Sequence, residues 1–313
     1  MISVIVCTYN RSAILKRVLL SLNAMVTPDD LDWELLVVDN NSEDATHAVV
    51  AEFARTSRLM VRYIFESEQG LSHARNRGIS EARGQIVAFT DDDVIVDQHW
   101  LANVARAFES SPCIAVGGKI VPLWYGPKPS WFYEERPYPL TFAIAGFDLG
   151  TASAAPTKEV FGANMAFRSD AFKQYGNFRT DLGRFKDILL VGEETEFCER
   201  LLKAGESIMY TPYAIVHHPV DPDRTRRSYF QSWYYNFGRS RVRVAEMVGE
   251  SISYFGVPRF FFRDIVTSII KWLCTTQRKR RFQNKIEVYC LAGMMSEYVR
   301  LWKASAARAT APS

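Results

Sequence analysis

The feature that most restricts this chain is a repeated unit: a short apolar run, closed by polar residues, then a stretch with helical spacing. Ile2-Ser3-Val4-Ile5-Val6-Cys7 ends in Thr8-Tyr9-Asn10-Arg11. Leu35-Leu36-Val37-Val38 ends in Asp39-Asn40-Asn41-Ser42, and Ile86-Val87-Ala88-Phe89 ends in Thr90-Asp91-Asp92-Asp93. Val61 to Phe65 is a further run. Runs of this length and composition read as buried strands. Between them, Ile14, Leu15, Val18, Leu19 and Leu22 mark one face of a helix capped near Ser12; further helices are expected at about Glu43 to Ala54 and Ser72 to Ala82, the last weakened by Gly78. Strands alternating with helices predict an α/β fold with a doubly wound, mostly parallel central sheet flanked by helices. Ligands of such sheets bind beyond the carboxyl ends of the strands, where these polar clusters collect. Neither Gly-x-Gly-x-x-Gly nor Gly-x-x-x-x-Gly-Lys follows the first strand, so dinucleotide and P-loop binding are unsupported.

Three adjacent carboxylates repel one another and are hard to desolvate. A divalent cation relieves that repulsion, and hard oxygen ligands suit Mg²⁺ or Mn²⁺. The same residues also read as an acidic strand-to-helix turn, one Asp capping the helix that carries Trp100, Leu101, Val104 and Phe108.

Composition narrows the class. At 313 residues the chain holds one large domain or one and a half, and 48% hydrophobic with 23% charged residues is ordinary for a globular protein. Five scattered cysteines without metal-ligand spacing predict reduced thiols and a cytoplasmic setting. The strand-like start predicts no signal peptide, and no apolar run reaches the roughly 18 residues of a membrane-spanning helix. Charge is uneven: residues 1–220 carry 21 basic and 28 acidic side chains, a net −7, and residues 221–313 carry 17 and 7, a net +10. A basic end of this size points to an anionic surface; no nucleic-acid recognition motif accompanies it.

Taken together, Val4 to Arg11, Val37 to Ser42, Ala74-Arg75-Asn76-Arg77-Gly78 and Thr90 to Asp93 resemble the motifs of the family-2 glycosyltransferases of GT-A fold, in order and spacing. The resemblance continues through Phe161-Gly162-Ala163-Asn164-Met165 and Gly192-Glu193-Glu194-Thr195-Glu196-Phe197, covering roughly residues 2–220. It implies inverting transfer of a sugar from a nucleotide-sugar donor, a UDP-sugar by expectation, to a glycan or lipid-linked acceptor, with Mn²⁺ or Mg²⁺ as cofactor. A catalytically silent, membrane-associated binding module that keeps the fold is the alternative, against which intact Asp91, Asp93 and Glu194 argue.

The resemblance also implies roles. Thr8, Tyr9, Asn10 and Arg11 lie where the family holds base and phosphates; Tyr9 reads equally as a stacking ring or a packed aromatic. Asp39 and Asn41 fall at the base or ribose, and Asp39 also reads as a helix cap. Arg75 falls near the diphosphate. Of the acids, Asp93 touches the metal, Asp91 faces the ribose or a metal-bound water, and Asp92 intervenes on the donor side. The family base is the second acid of a pair that is most often Glu-Asp. Here the pair is Glu-Glu, which assigns Glu194 as base and Glu193 to orienting or acceptor contacts; both also suit a helix start. Of His217 and His218, strand register decides which faces the metal, and the assignment falls on His218.

An acceptor half is expected from 116 to 220, after a nucleotide-binding half at 1–115. Val116 to Val121 reads as a strand, and Pro122 to Pro139 as a Pro- and aromatic-rich loop in which Trp131 offers a sugar platform or a surface anchor. Ala143 to Lys158 reads as a loop, Val160 to Arg168 as a strand whose Gly162, Ala163 and Asn164 contact the acceptor, and Gly183 to Leu190 as a loop. Ile208 to Tyr210 and Ala214 to Val216 read as two strands parted by Pro212. Residues 221–313 form a separate basic, aromatic-rich helical extension: an aromatic helix from Tyr229 to Phe237, one from about Pro258 with Phe262, Ile265, Val266, Ile269, Ile270 and Leu273 on a stripe, and one from about Phe282 to Trp302. This pattern fits either a packed bundle or peripheral contact with the anionic inner face of a membrane.

Overall fold

The computed structural model describes residues 1–135, 138–153, 155–184, 190–245 and 253–309; most of the loop expected at Gly183 to Leu190 lies outside them. In chain order the elements are β1 (Ile2–Thr8), α1 (Ser12–Asn23), β2 (Trp33–Asp39), α2 (Thr46–Thr56), β3 (Val61–Phe65), α3 (Leu71–Glu81), β4 (Ile86–Asp91), β5 (Ile95–Val96), α4 (Trp100–Ser110), β6 (Ala115–Trp124), β7 (Ala155–Pro156), β8 (Met165–Arg168), α5 (Ser169–Tyr175), α6 (Glu193–Lys203), β9 (Ile208–Val220), α7 (Arg227–Val244), β10 (Ser253–Tyr254), β11 (Val257–Pro258), α8 (Phe260–Cys274) and α9 (Arg278–Ala309). They form two compact units: Met1–Tyr125 with Ile144–Lys186 and Glu193–Val220, and Gly126–Ala143 with Asp187–Gly192 and Asp221–Ser313.

The first unit is built on one sheet of order β3-β2-β1-β4-β8-β6-β9-β5, with β7 paired to β9. β3, β2, β1 and β4 run parallel, as do β6 and β9; β8 is antiparallel to both its neighbours. Side chains alternate across the pleat. Val4, Val6, Leu35 and Val37 face the layer holding Leu15, Leu19, Val50 and Trp100. Ile5, Leu36 and Val38 face the layer holding Ala74, Phe172, Phe197 and Leu201. Gly78 presses α3 onto β1: a Cβ there would lie 2.7 Å from Ile5 Cγ2, so the helix-weakening residue serves packing. Asp44 accepts from Ser12 N at 2.9 Å and Thr46 N at 3.0 Å, holding the starts of α1 and α2 with one carboxylate.

Two expectations need correction. The pair of strands around Pro212 is one strand, β9, because the pairing with β6 slips between Gly118 and Lys119, so that Thr211 and Ile215 take consecutive partners. The bulge absorbs the missing donor of Pro212. The strand expected from Val160 is confined to Met165–Arg168, since residues before it turn tightly, with Asn164 N donating to Phe161 O at 2.8 Å.

In the second unit α7, α8 and α9 enclose Val242, Val257, Phe261, Cys290, Leu291, Met294 and Tyr298. Segment 126–143 packs within this unit: Trp131 lies edge-on to Phe230 and Phe282, and Tyr234 donates to Pro139 O at 2.6 Å. Glu297, fully buried, accepts from Arg239 at 3.0 Å and from Arg243 and Arg300 at 2.7 Å each. The stripe expected on α8 is split. Phe261 and Ser268 point inward, whereas Phe262, Val266, Ile270 and Leu273 remain exposed. Among the described residues no helix is long and apolar enough to cross a membrane.

Candidate active site

The carboxyl ends of β1, β2 and β4 bring the three polar clusters to one edge, because parallel pairing sets Thr8 beside Asp39 and Cys7 beside Asp91. Asp39 is buried and doubly held, accepting from Ser42 N at 2.9 Å and Tyr63 Oη at 2.8 Å. Desolvation of Tyr63 and its bond to Asp39 push the phenol up to about 12, so it stays a donor. Asn10 and Asn41 both adopt left-handed backbone, φ 51° and 64°, a conformation that asparagine tolerates better than most residues. Asn10 Oδ1 accepts from Glu43 N at 2.7 Å, locking the β1 end to the β2 end. Tyr9 is 39% exposed, which removes the packed-aromatic alternative.

The acids divide by orientation. Asp92, buried, turns back to accept from Thr8 Oγ1 at 2.8 Å and Arg11 at 2.6 Å. Burial pushes its pKa up to about 6, Asp93 adds to this, and Arg11 opposes it. Asp93 shares that Arg11 nitrogen at 3.1 Å, and His218 Nε2 lies 3.4 Å from its Oδ1. One ligand atom from each of Asp91, Asp93 and His218 falls within 4.8 Å of the others. Two carboxylate oxygens and an imidazole nitrogen suit a divalent cation, and the nitrogen suits Mn²⁺ better than Mg²⁺. The bulge in β9 sets the register that buries His218 while leaving His217 half-buried. The Nδ1 of His218 is buried without a partner among the described residues.

Arg75 is the link between the acids and α6. From α3 its buried guanidinium lies 2.5 Å from Glu193 Oε1 and 3.5 Å from Asp91 Oδ1. Burial works against this charge, but Glu193, Asp91 and Glu194 hold its pKa above the ordinary value. Gly162 makes room for it: a Cβ there would lie 2.1 Å from the guanidinium. At the start of α6, Glu194 Oε2 is buried without a partner among the described residues, as is Glu193 Oε2. Burial, with Glu193 beside it, pushes Glu194 up to about 8, while Arg75 pulls the other way.

The acceptor expectations fare differently. Asn164 is buried and its amide is occupied: Nδ2 donates to Lys119 O at 2.9 Å and Ala214 O at 2.8 Å, and Oδ1 accepts from Trp100 at 2.8 Å. It ties α4, β6 and β9 together rather than offering itself to sugar hydroxyls. Ala163 O accepts from Thr90 at 3.0 Å, and the Arg75 guanidinium packs against Gly162. Trp131 belongs to the second unit, where Arg227 stands 5.3 Å from its ring centre. Sequence reasoning missed Tyr63 and Asn40. Asn40, buried, donates to Glu68 O at 2.6 Å, accepts from Gly70 N at 2.8 Å and receives Gln69 on its carbonyl, so it shapes the turn into α3. Its only signal was its place in the cluster after β2.

The sequence model "Glycosyl transferase family 2" matches residues 3–176. The chain is 28% identical over 240 residues to a "Glucosyl-dolichyl phosphate glucuronosyltransferase" of Haloferax volcanii, covering 74% of this chain and 75% of that protein. It is 28% identical over 241 residues to "Succinoglycan biosynthesis protein ExoM" of Rhizobium meliloti, covering 76% and 73%. Among solved structures, mannosyltransferase PcManGT from Pyrobaculum calidifontis, in complex with GDP-Man and Mn²⁺, superposes with a TM-score of 0.58 at 21% identity, covering 100% of this chain and 76% of that one. S. aureus TarS 1-349 in complex with UDP gives 0.53 at 17% identity, covering 100% and 93%.

Proposed function

The chain belongs to glycosyl transferase family 2, with a GT-A fold, and on that premise we propose that it is an inverting enzyme that moves a sugar from a UDP-sugar to a glycan or lipid-linked acceptor. The observation that carries the reading is Arg75, one guanidinium in contact with both Asp91 of the acidic cluster and Glu193 beside the proposed base. It sets the leaving-group side and the proton-accepting side within one frame. The acceptor class is supported by the two sequence relatives, a glucosyl-dolichyl phosphate glucuronosyltransferase and a succinoglycan biosynthesis protein. The solved neighbours carry GDP-Man in one case and UDP in the other, and UDP is the reading taken here.

In this reading Tyr9, exposed at the end of β1, stacks on the base, and Asp39, oriented by Tyr63 and Ser42, meets base or ribose. Asp91, Asp93 and His218 would hold Mn²⁺ or Mg²⁺, which supplies positive charge against the donor diphosphate when bound. Arg11 bridges Asp92 and Asp93 and keeps the strand end from springing apart. Glu194 takes the proton from the acceptor hydroxyl as its oxygen bonds to the anomeric carbon. The bond from that carbon to the diphosphate breaks, and the configuration inverts. Raised by burial, Glu194 is a stronger base than an ordinary carboxylate once its proton has left, which happens as pH rises through about 8, and its second oxygen has no partner among the described residues. The C-terminal helices are read as making peripheral contact with an anionic membrane, where a lipid-linked acceptor resides.

The test is nucleotide binding and transfer in paired assays. Asp93→Ala is expected to abolish transfer and to weaken UDP binding in the presence of Mn²⁺, with the circular dichroism spectrum unchanged. Equal UDP affinity in variant and parent would end the metal-site reading, and a product of retained anomeric configuration would end the inverting one.

A further inference from the structure

The second unit holds a pocket of about 390 Å³ that the catalytic reading does not use. Arg227, Arg278, Arg281 and Lys285 line it, over the rings of Trp272 and Phe282, and no carboxylate is among the lining residues. Among the described residues none of these four cations makes an ion pair. Arg227 is held by aromatic faces, 5.3 Å from the Trp131 ring centre and 5.2 Å from that of Phe282, and Lys285 stands 5.4 Å from that of Trp272. Such contacts fix a cation's position and leave its hydrogen-bond donors unspent.

The pocket sits at the wrong end of a helix for so much positive charge. Arg278 to Arg281 is the first turn of α9, which has no acidic residue. The helix dipole places its own partial positive charge there, so the local rule favours Asp or Glu. Lys279 of this turn pairs with Glu135 at 3.5 Å, but Arg278 and Arg281 face the cavity, where an entering anion would offset their charge. On α8, the helix that contributes Trp272, the residues Phe262, Val266, Ile270 and Leu273 follow helical spacing and stay 38%, 54%, 56% and 59% exposed. An apolar stripe and a cation-lined pocket on consecutive helices match the two parts of an anionic lipid.

We propose that this pocket binds the phosphate of a lipid headgroup, with the exposed stripe of α8 resting in the bilayer surface. The inference rests on the membrane-facing reading of these helices and adds a defined headgroup site to it. Arginines favour a phosphate with several free oxygens, which accept paired N–H donors, over a phosphodiester buried in a larger headgroup.

The full chain is to be sedimented with phosphatidylcholine vesicles that carry either phosphatidic acid or phosphatidylserine at matched surface charge, and titrated separately with glycerol phosphate. We expect a preference of about tenfold or more for phosphatidic acid. The double variant Arg281→Gln/Lys285→Gln should lose this preference. The exposed pair Val266→Ser/Ile270→Ser should bind both vesicle types about tenfold or more weakly, with its melting temperature unchanged. Absence of vesicle binding overturns both the pocket and the membrane-facing reading. Equal binding to the two anionic lipids overturns the pocket and leaves membrane contact standing. Glycerol phosphate bound as tightly as vesicle phosphate assigns the pocket to a soluble anion and overturns the lipid.

Discussion

Glu194 and Glu193 are neighbours that differ in how closely Arg75 reaches them. Each keeps one buried oxygen without a partner among the described residues, but Glu193 has Arg75 at 2.5 Å, while burial, with Glu193 beside it, pushes Glu194 up to about 8. Glu194→Gln should keep UDP affinity and lose turnover on the order of 10² to 10⁴. Glu193→Gln should lose less, and Glu194→Asp should keep part of the rate. A dead Glu193→Gln beside a near-normal Glu194→Gln would reverse the assignment. The shift carries a sign for stability too. Because the folded protein holds the proton of Glu194 from its ordinary 4.5 up to about 8, this residue's contribution is intact in acid, declines as pH rises through that window and is gone above it. Melting curves should therefore show Glu194→Gln gaining on the parent as pH rises from about 4.5 to about 8 and levelling off above it, with Glu193 and Arg75 the charged groups that modulate the gain. None of this asymmetry was legible in two identical side chains; it depends on which one α3 reaches.

Elements came out of the sequence more readily than their contacts. Period and polar closure marked β1, β2, β3, β4 and the helices between them, because each is a local pattern. The β9 bulge was not legible: a proline between two apolar pairs reads as a break, and only pairing with β6 shows the strand continuing. Asn164 was misread for a related reason. Its amide is consumed by Trp100, Lys119 and Ala214, three positions distant in sequence. The turn before β8 has its own test. Gly162→Ala would place a methyl 2.1 Å from Arg75, which must withdraw from both Glu193 and Asp91. Transfer should fall at least about tenfold while urea unfolding changes by about 1–3 kcal/mol, the range of an overpacked site. A full-rate variant would mean that Arg75 is not the frame of the site.

At the scale of the molecule, the two units do not divide the chain at one point. Residues 126–143 lie in the sequence between β6 and β7 but pack with α7 and α9, burying Phe132 and Tyr133 and setting Trp131 against Phe230 and Phe282. The sequence suggested a boundary near residue 220 because charge and aromatic content change there. Composition cannot reveal that an internal segment crosses over. A fragment of residues 1–220 would leave these rings without their partners. It should bind a hydrophobic dye and aggregate on gel filtration, whereas the full chain elutes as a discrete species.

The arrangement around Glu297 has a consequence for how this chain can drift. Three guanidinium groups share one buried carboxylate, so the positions are unequal creditors of the same ion. Loss of any single arginine leaves the carboxylate with two partners, and Arg300, half exposed, is the easiest to lose. Loss of the carboxylate leaves three cations facing one another, Arg239 and Arg243 mostly buried, a change in the range of about 3–5 kcal/mol for a broken buried pair. A library that samples every substitution should therefore find positions 239, 243 and 300 individually permissive and position 297 closed even to glutamine. Tolerance in this helical unit would then be set by the one residue that is never duplicated.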